Sequence, residues 1–335
     1  MRYRMLYSWI SVDLELSLFH DVPPKLALQD IASPGFSPLR FERRFSSLTV
    51  LFETFIEGQP SSQGGFTATS LRLLLHPLQC LSAHLYQCLA TFGSIQDSGK
   101  PLNSTLGLAS KAFIDELSVL LQRWHGLSLT LIAKSGGICH ITRGSLILYH
   151  LMVLNNLTSF PEVERSFQTD PASAQGFLAR SWMRTASAET IAMLLAHCGQ
   201  CLHLLRTTPA SDRPLWWAAA LYRVALILTQ AVGSDSSSPY RPSSSAGPES
   251  AIMVLDQDFG IAGAEANIAF QRSLGRSQGT PALRRSDGST VLLTQKLDAL
   301  DYCIALLDEH LLVEGTAFAK RVKTNLGALR SGWSV

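Results

Sequence analysis

The sequence predicts an all-α fold, an irregular multi-helix array with at most one short strand and one Ser/Pro-rich disordered loop. Two observations predict it. Apolar residues recur at helical spacing through most of the 335 residues, and period-two alternation is almost absent. Hydrophobic residues make up 46% of the chain and charged residues 16%, against a usual charged share of about 25%. The helices must therefore carry broad apolar faces. The expected organisation is a helical core over 1–232, a flexible loop over 233–250, and a C-terminal helical part over 251–335 that packs on the core.

The opening stretch organises the rest. Met5, Trp9, Val12, Leu16 and Phe19 recur at steps of four, three, four and three, which puts them on one face of a helix of about five turns. A neighbouring stripe, Leu6, Ile10, Asp13 and Ser17, starts apolar and turns polar, so the buried face narrows. His20-Asp21-Val22-Pro23-Pro24 stops the helix, because neither Pro carries a donor and the first disfavours helical backbone at Val22. Leu26, Leu28 and Ile31 predict an extended segment laid back along it. Asp13 and Glu15, two residues apart, point about 200° apart on a helix. Asp13 is expected to cap a neighbouring helix or pair with a buried Arg, and Glu15 to be solvated.

Phe41, Phe45, Leu48, Phe52 and Phe55 continue at helical spacing to Ile56, and Gly58 to Gly65 breaks the pattern. Thr67 to Thr91 predicts a long helix on Leu71, Leu74, Leu75, Leu78, Leu81, Leu85 and Leu89, with a kink or break near Leu75 and His76 imposed by Pro77. After a loop from Phe92 to Ser104, Ala109 to Ala133 is helical with Phe113, Leu117, Leu120, Leu121 and Trp124 on one side. Gly144 to Leu157 is a helix, and Ser159 to Pro171 a connection with one helical turn. Ala174 to Arg206 is two helices or one bent one. Ser211-Asp212-Arg213-Pro214 opens the next helix, with Ser211 or Asp212 as cap and Pro in the first turn. Ser234 to Ser250 is too polar to pack. Ala251 to Leu255 is a short strand or an extended piece docking on the core, Asn267 to Leu274 a weak helix, Thr290 to Val313 a helix on seven apolar positions from Leu292 to Leu311, and Ala317 to Leu329 a closing amphipathic helix.

Several function classes find little support. A net charge of +2 and a pI near 8.2 make no electrostatic case for DNA or an anionic membrane. Six scattered cysteines fit the reduced, buried thiols of an intracellular protein. Arg2 and Arg4 before apolar residues imitate a signal peptide, but Asp13 and Glu15 interrupt the run and no small-residue cleavage site follows. Leu215 to Val232 approaches a membrane span in length. Arg223 at its centre costs about 2.5–3.5 kcal/mol on insertion, so a buried helix is expected and membrane association through the Trp-rich 215–232 is the alternative. A helical enzyme of the isoprenoid type, with a pocket between these tryptophans, is the other alternative, but Asp-rich magnesium motifs are missing.

His197-Cys198-Gly199-Gln200-Cys201-Leu202-His203 holds the candidate metal residues, Cys198 and Cys201. A Cys-x-x-Cys pair can begin a zinc site or serve thiol exchange. No second pair lies at finger spacing, and Ile191, Leu194, Leu195, Cys198, Cys201, Leu202 and Leu205 make one apolar stripe, which favours a core role. Gly93 to Lys100, GSIQDSGK, misses the phosphate-loop spacing, with Pro101 where a hydroxyl belongs, and is expected to be a surface loop. His125, His140 and His150 stand apart from other ligands and are expected to be satisfied or on the surface. No catalytic or cofactor-binding residue is assigned, and no cofactor is expected. The basic clusters are Arg40, Arg43 and Arg44; Arg284-Arg285; and Lys320-Arg321-Val322-Lys323, the last a wet helix face with nuclear import as the alternative.

The segment WISVDLELSLFHDVPPKL resembles a characteristic stretch of the fungal-specific transcription factor domain, or middle homology region, in the version found in regulators with two-Cys two-His zinc fingers. Trp9, then Phe19, Asp21, Pro23 and Pro24 of the Phe-x-Asp-x-Pro-Pro turn, carry the likeness. AHCGQCLHLLRTTP followed by RPLWWAAALYRVALIL, with Trp216, Trp217 and Tyr222, resembles that family's late helix pair. TPALRRSDGSTVLL and the helix with Leu300, Cys303 and Leu307 resemble its usual end. The resemblance implies a nuclear transcription regulator that contacts other transcription proteins or a self-partner, with no enzymatic activity and no membrane. DNA would be reached only indirectly or through an N-terminal finger region. Control of a fungal metabolic or secondary-metabolite gene cluster fits the family. Because the family's domain begins before this segment, the chain is expected to correspond to its C-terminal part. Met5, Trp9 and Val12 should then be more exposed than core residues.

Overall fold

The computed structural model describes residues 2–26, 47–58, 65–96, 104–168, 187–232, 251–257, 279–311 and 315–332. The expectations placed on Leu28, Ile31, Arg40 to Phe45, 59–64, 97–103, 169–186, 234–250 and 267–274 lie outside these residues. Among the described residues there are ten α-helices and one three-stranded sheet. The all-α class holds, with a sheet larger than the single strand expected. The chain divides into two compact units, residues 1–152 and 153–335.

The first unit comprises α1 (Arg2–His20), α2 (Leu48–Glu57), α3 (Ala68–Gln96), α4 (Ser104–Ser135) and most of α5 (His140–Leu157). On α1 the sealed row is Leu6, Ile10, Leu14 and Leu18, while Met5, Trp9, Val12 and Leu16 are each half exposed or more. Met5, Trp9 and Val12 are thus exposed as expected, and the buried face shares Leu6 and Ile10 with the neighbouring stripe but continues through Leu14 and Leu18. Its partner decides the choice. Helix α3 presents Arg72, His76 and Gln79, all buried, toward α1, and only the side of α1 carrying Asp13, Glu15 and Ser17 offers them partners.

Helix α2 starts at Ser47, whose hydroxyl accepts the Val50 N–H, and ends on Gly58 at φ 67, whose N–H reaches Phe55 O. It packs on α3 through Leu48, Leu51 and Phe55. Helix α3 runs through Pro77 without interruption, so the expected break is absent. Pro77 removes one ladder bond, but Leu71, Leu73, Leu74, Leu75, Leu78 and Cys80 are all buried around it. Each such side chain contributes roughly 1.5–3 kcal/mol, which outweighs the roughly 3 kcal/mol of an interior proline. The helix also continues to Gln96, so the Gly93–Gln96 half of the predicted surface loop is helical. Leu117, Leu120, Leu121 and Trp124 of α4 are buried as expected, with Phe113 partly exposed. The Trp124 indole N–H donates to Leu71 O at 2.8 Å and its ring stacks on Tyr149.

The second unit holds the end of α5, then α6 (Phe160–Gln168), α7 (Ala188–Thr207), a 3-10 turn at Ala210–Asp212, α8 (Trp217–Val232), β1 (Ala251–Val254), β2 (Gly279–Arg284), β3 (Thr290–Leu292), α9 (Lys296–Leu311) and α10 (Ala317–Gly332). Three expectations need correction. The connection after Ser159 contains a nine-residue helix, supported by buried Phe160, Val163 and Phe167 at steps of three and four. Ser211 and Asp212 do not cap α8. They sit in the 3-10 turn, bonded to one another, and α8 begins only at Trp217. Thr290–Leu292 is a strand, and α9 starts at Lys296. The Asp287-Gly288 turn, with Gly288 at φ 84, folds β3 back antiparallel onto β2, pairing Ala282 with Leu292 and Arg284 with Thr290. The expected strand at Ala251 is β1, parallel to β2 with Val254 opposite Ala282.

Helix α8 is the stretch with the membrane alternative. Among the described residues no helix is long and apolar enough to cross a membrane. Arg223 is buried, its guanidinium 4.1 Å from the centre of the Phe160 ring and 3.3 Å from the Asn155 carboxamide oxygen.

Candidate functional site

The resemblance-bearing segment is built on one carboxylate. Asp13 accepts the N–H of Lys25 at 2.9 Å and of Leu26 at 3.0 Å, so the chain leaving Pro23-Pro24 doubles back onto α1. Ser17 secures the bend from below, its hydroxyl donating to Val22 O at 2.6 Å. Asp21 takes the left-handed conformation, φ 53, that ends the helix. Across the helix pair, His76 Nε2–H donates to Asp13 Oδ2 at 2.9 Å, Arg72 pairs with Glu15 at 2.5 Å, and the Gln79 amide donates to Ser17 Oγ at 3.1 Å. The partners expected of the two acids are therefore corrected. Asp13 holds a histidine and the double-Pro turn, and Glu15 pairs with the buried Arg instead of standing in water. The two acids flank the packed Leu14 and reach α3 from either side of it.

Electrostatics decides what this cluster can do. Burial pushes the Asp13 carboxyl up, but the bonds from His76, Leu26 and Lys25 outweigh it and hold the group below the ordinary carboxylate range. Burial lowers His76 by more than Asp13 raises it, so His76 is neutral near pH 7, with its proton on Nε2. Its Nδ1 faces Cys80 Sγ at 3.8 Å. Cys80, His76 and Asp13 thus stand in the order of a nucleophilic triad. The chemistry does not follow, since burial pushes the Cys80 thiol up to about 12 and only a thiolate attacks. The cluster is a polar clasp between α1 and α3. Its visible signal was Arg72, His76 and Gln79 on one side of α3, which the leucine pattern masked.

Cys198 and Cys201 lie on α7, fully buried together with Cys303 of α9. Burial raises all three thiols, Cys303 to about 12, as expected of small core hydrophobes. Among the described residues no group of three or more His, Cys, Asp or Glu is placed to hold a metal ion. Between the cysteines, Gly199 brings α7 against Leu255: a Cβ built on it would fall 2.5 Å from the Leu255 carbonyl carbon and Cβ. Trp216 and Trp217 are buried, Trp217 meeting the His310 ring edge-on at 5.2 Å, and the Tyr222 hydroxyl donates to Glu164 at 3.0 Å. Trp9 stands at the surface, Phe19, Pro23 and Pro24 are half-buried, and Asp21 is exposed.

A second polar centre escaped the sequence reading altogether. Asp256, just past β1, is fully buried and accepts Arg206 of α7 on one oxygen and the Arg284 N–H on the other, the latter at 2.9 Å. Arg206 also bonds Arg284 O and the Tyr302 hydroxyl. These residues are 50 or more positions apart in three of the four pairings, so no local pattern announces them. They tie the sheet to α7 and α9.

Buried and half-buried histidines give the fold a pH dependence. His125 stacks on Tyr149 at 4.9 Å, and burial pushes it to about 4. Burial, then Arg213, pushes His310 to about 4, and His76 is lowered as well. An unfolded histidine titrates near 6.5, so below that pH the unfolded chain binds protons the folded chain refuses. The stability these groups contribute is complete above about 6.5 and is lost as pH falls toward their folded values. Thermal unfolding at constant ionic strength should give a clearly lower Tm at pH 5 than at pH 7, and His125→Gln should flatten that slope. Equal Tm at both pH values would contradict the burial of these rings.

The described residues thus define a helical protein whose distinctive side chains pack and clasp, with apolar side chains of α1 among those left at the surface. This chain is 32% identical over 336 residues to the protein named transcription factor 1 of Elsinoe fawcettii, matching 92% of this chain and 34% of that protein. It is 30% identical over 379 residues to a protein named as a transcription factor from Zymoseptoria tritici, matching 99% of this chain and 37% of the other. Transcription factor PfmaH of Pestalotiopsis fici is 29% identical over 365 residues, with 98% and 35% matched. Its homologues are thus fungal proteins named transcription factors, and the chain spans about a third of the length of these curated relatives. No family model matches the chain, and no solved structure matches it.

Proposed function

We propose that this chain is the regulatory region of a fungal transcription regulator, without enzymatic activity, working in the nucleus through contacts with other transcription proteins or with itself. The supporting observation is that similarity to fungal proteins named transcription factors runs over 92–99% of the chain, through both units and not through one motif. The clasped Cys80-His76-Asp13 cluster and the buried Cys198 and Cys201 fit a framework better than a reaction centre. Contact with DNA would come through a zinc-finger region of the kind the resemblance implies, and the genes controlled would be a metabolic or secondary-metabolite cluster. A fluorescent fusion expressed in a filamentous fungus should concentrate in the nucleus. Uniform cytoplasmic fluorescence from an intact fusion would count against the proposal.

A further inference from the structure

We draw no further inference here: the strongest candidate, the exposed Met5, Trp9, Val12 and Leu16 face of α1, carries none because nothing in the structure shows what covers it.

Discussion

Gly199→Ala is expected to destabilise the second unit severely, although alanine in a helix normally helps. Gly199 sits inside α7, where the exchange alone should gain up to about 1 kcal/mol of helix propensity. The tertiary setting reverses the sign. A Cβ there would lie 2.5 Å from the carbonyl carbon and Cβ of Leu255, and the first of those is backbone that no rotamer change can move. Leu255 is fixed in turn, its N–H bonded to Ala282 O at 2.8 Å and its own carbonyl accepting from Gln200 at 3.2 Å. Relief therefore requires the sheet to shift off α7. We expect a net loss of about 3 kcal/mol or more, on the order of 10 °C in Tm. Gly126→Ala is the control, because an added Cβ in that helix meets nothing within 4 Å and should be neutral or slightly stabilising. Comparing the two Tm values checks the close approach directly; equal effects would contradict it.

Asp256→Ala should cost a similar amount for a different reason. The carboxylate is fully buried and Arg206 nearly so, and removing one partner of a buried pair leaves the other charge uncompensated, typically at about 3–5 kcal/mol. The Arg284 N–H would also lose its acceptor. The double variant Arg206→Met with Asp256→Leu should recover much of the loss, since it removes both charges together. Chemical denaturation of the two single variants and the double variant measures this coupling. Strict additivity would show that the two side chains do not share one environment.

These two predictions also mark what the sequence could and could not convey. The apolar stripe through Cys198 and Cys201 was legible because a helix repeats it locally, and the structure places both thiols in the core. Gly199 within that stripe gave no such signal, since its importance comes from a strand more than 50 residues later. The exposure of Met5, Trp9 and Val12 was expected and is found, but which residues of α1 seal the other side was not legible, because two apolar stripes compete there. Only the polar row of α3, visible once the helices pair, selects Leu6, Ile10, Leu14 and Leu18. At Thr290 the run of leucines in Val291-Leu292-Leu293 fits helix or strand equally. The deciding signal was the Asp287-Gly288 turn just before it, a strong hairpin cue. Asp13 drew notice as an acid among apolar residues, yet its partners, His76 and the backbone after the double proline, come from the tertiary fold.

The central claim, that this chain regulates transcription through protein contacts, is tested most directly by tethering. The chain is fused to an unrelated DNA-binding domain and reporter transcription is measured in a fungal host. The account predicts a reporter output several-fold different from that of the DNA-binding domain alone, and loss of that difference with Gly199→Ala. A stable, nuclear fusion that leaves the reporter at the level of the DNA-binding domain alone would contradict it.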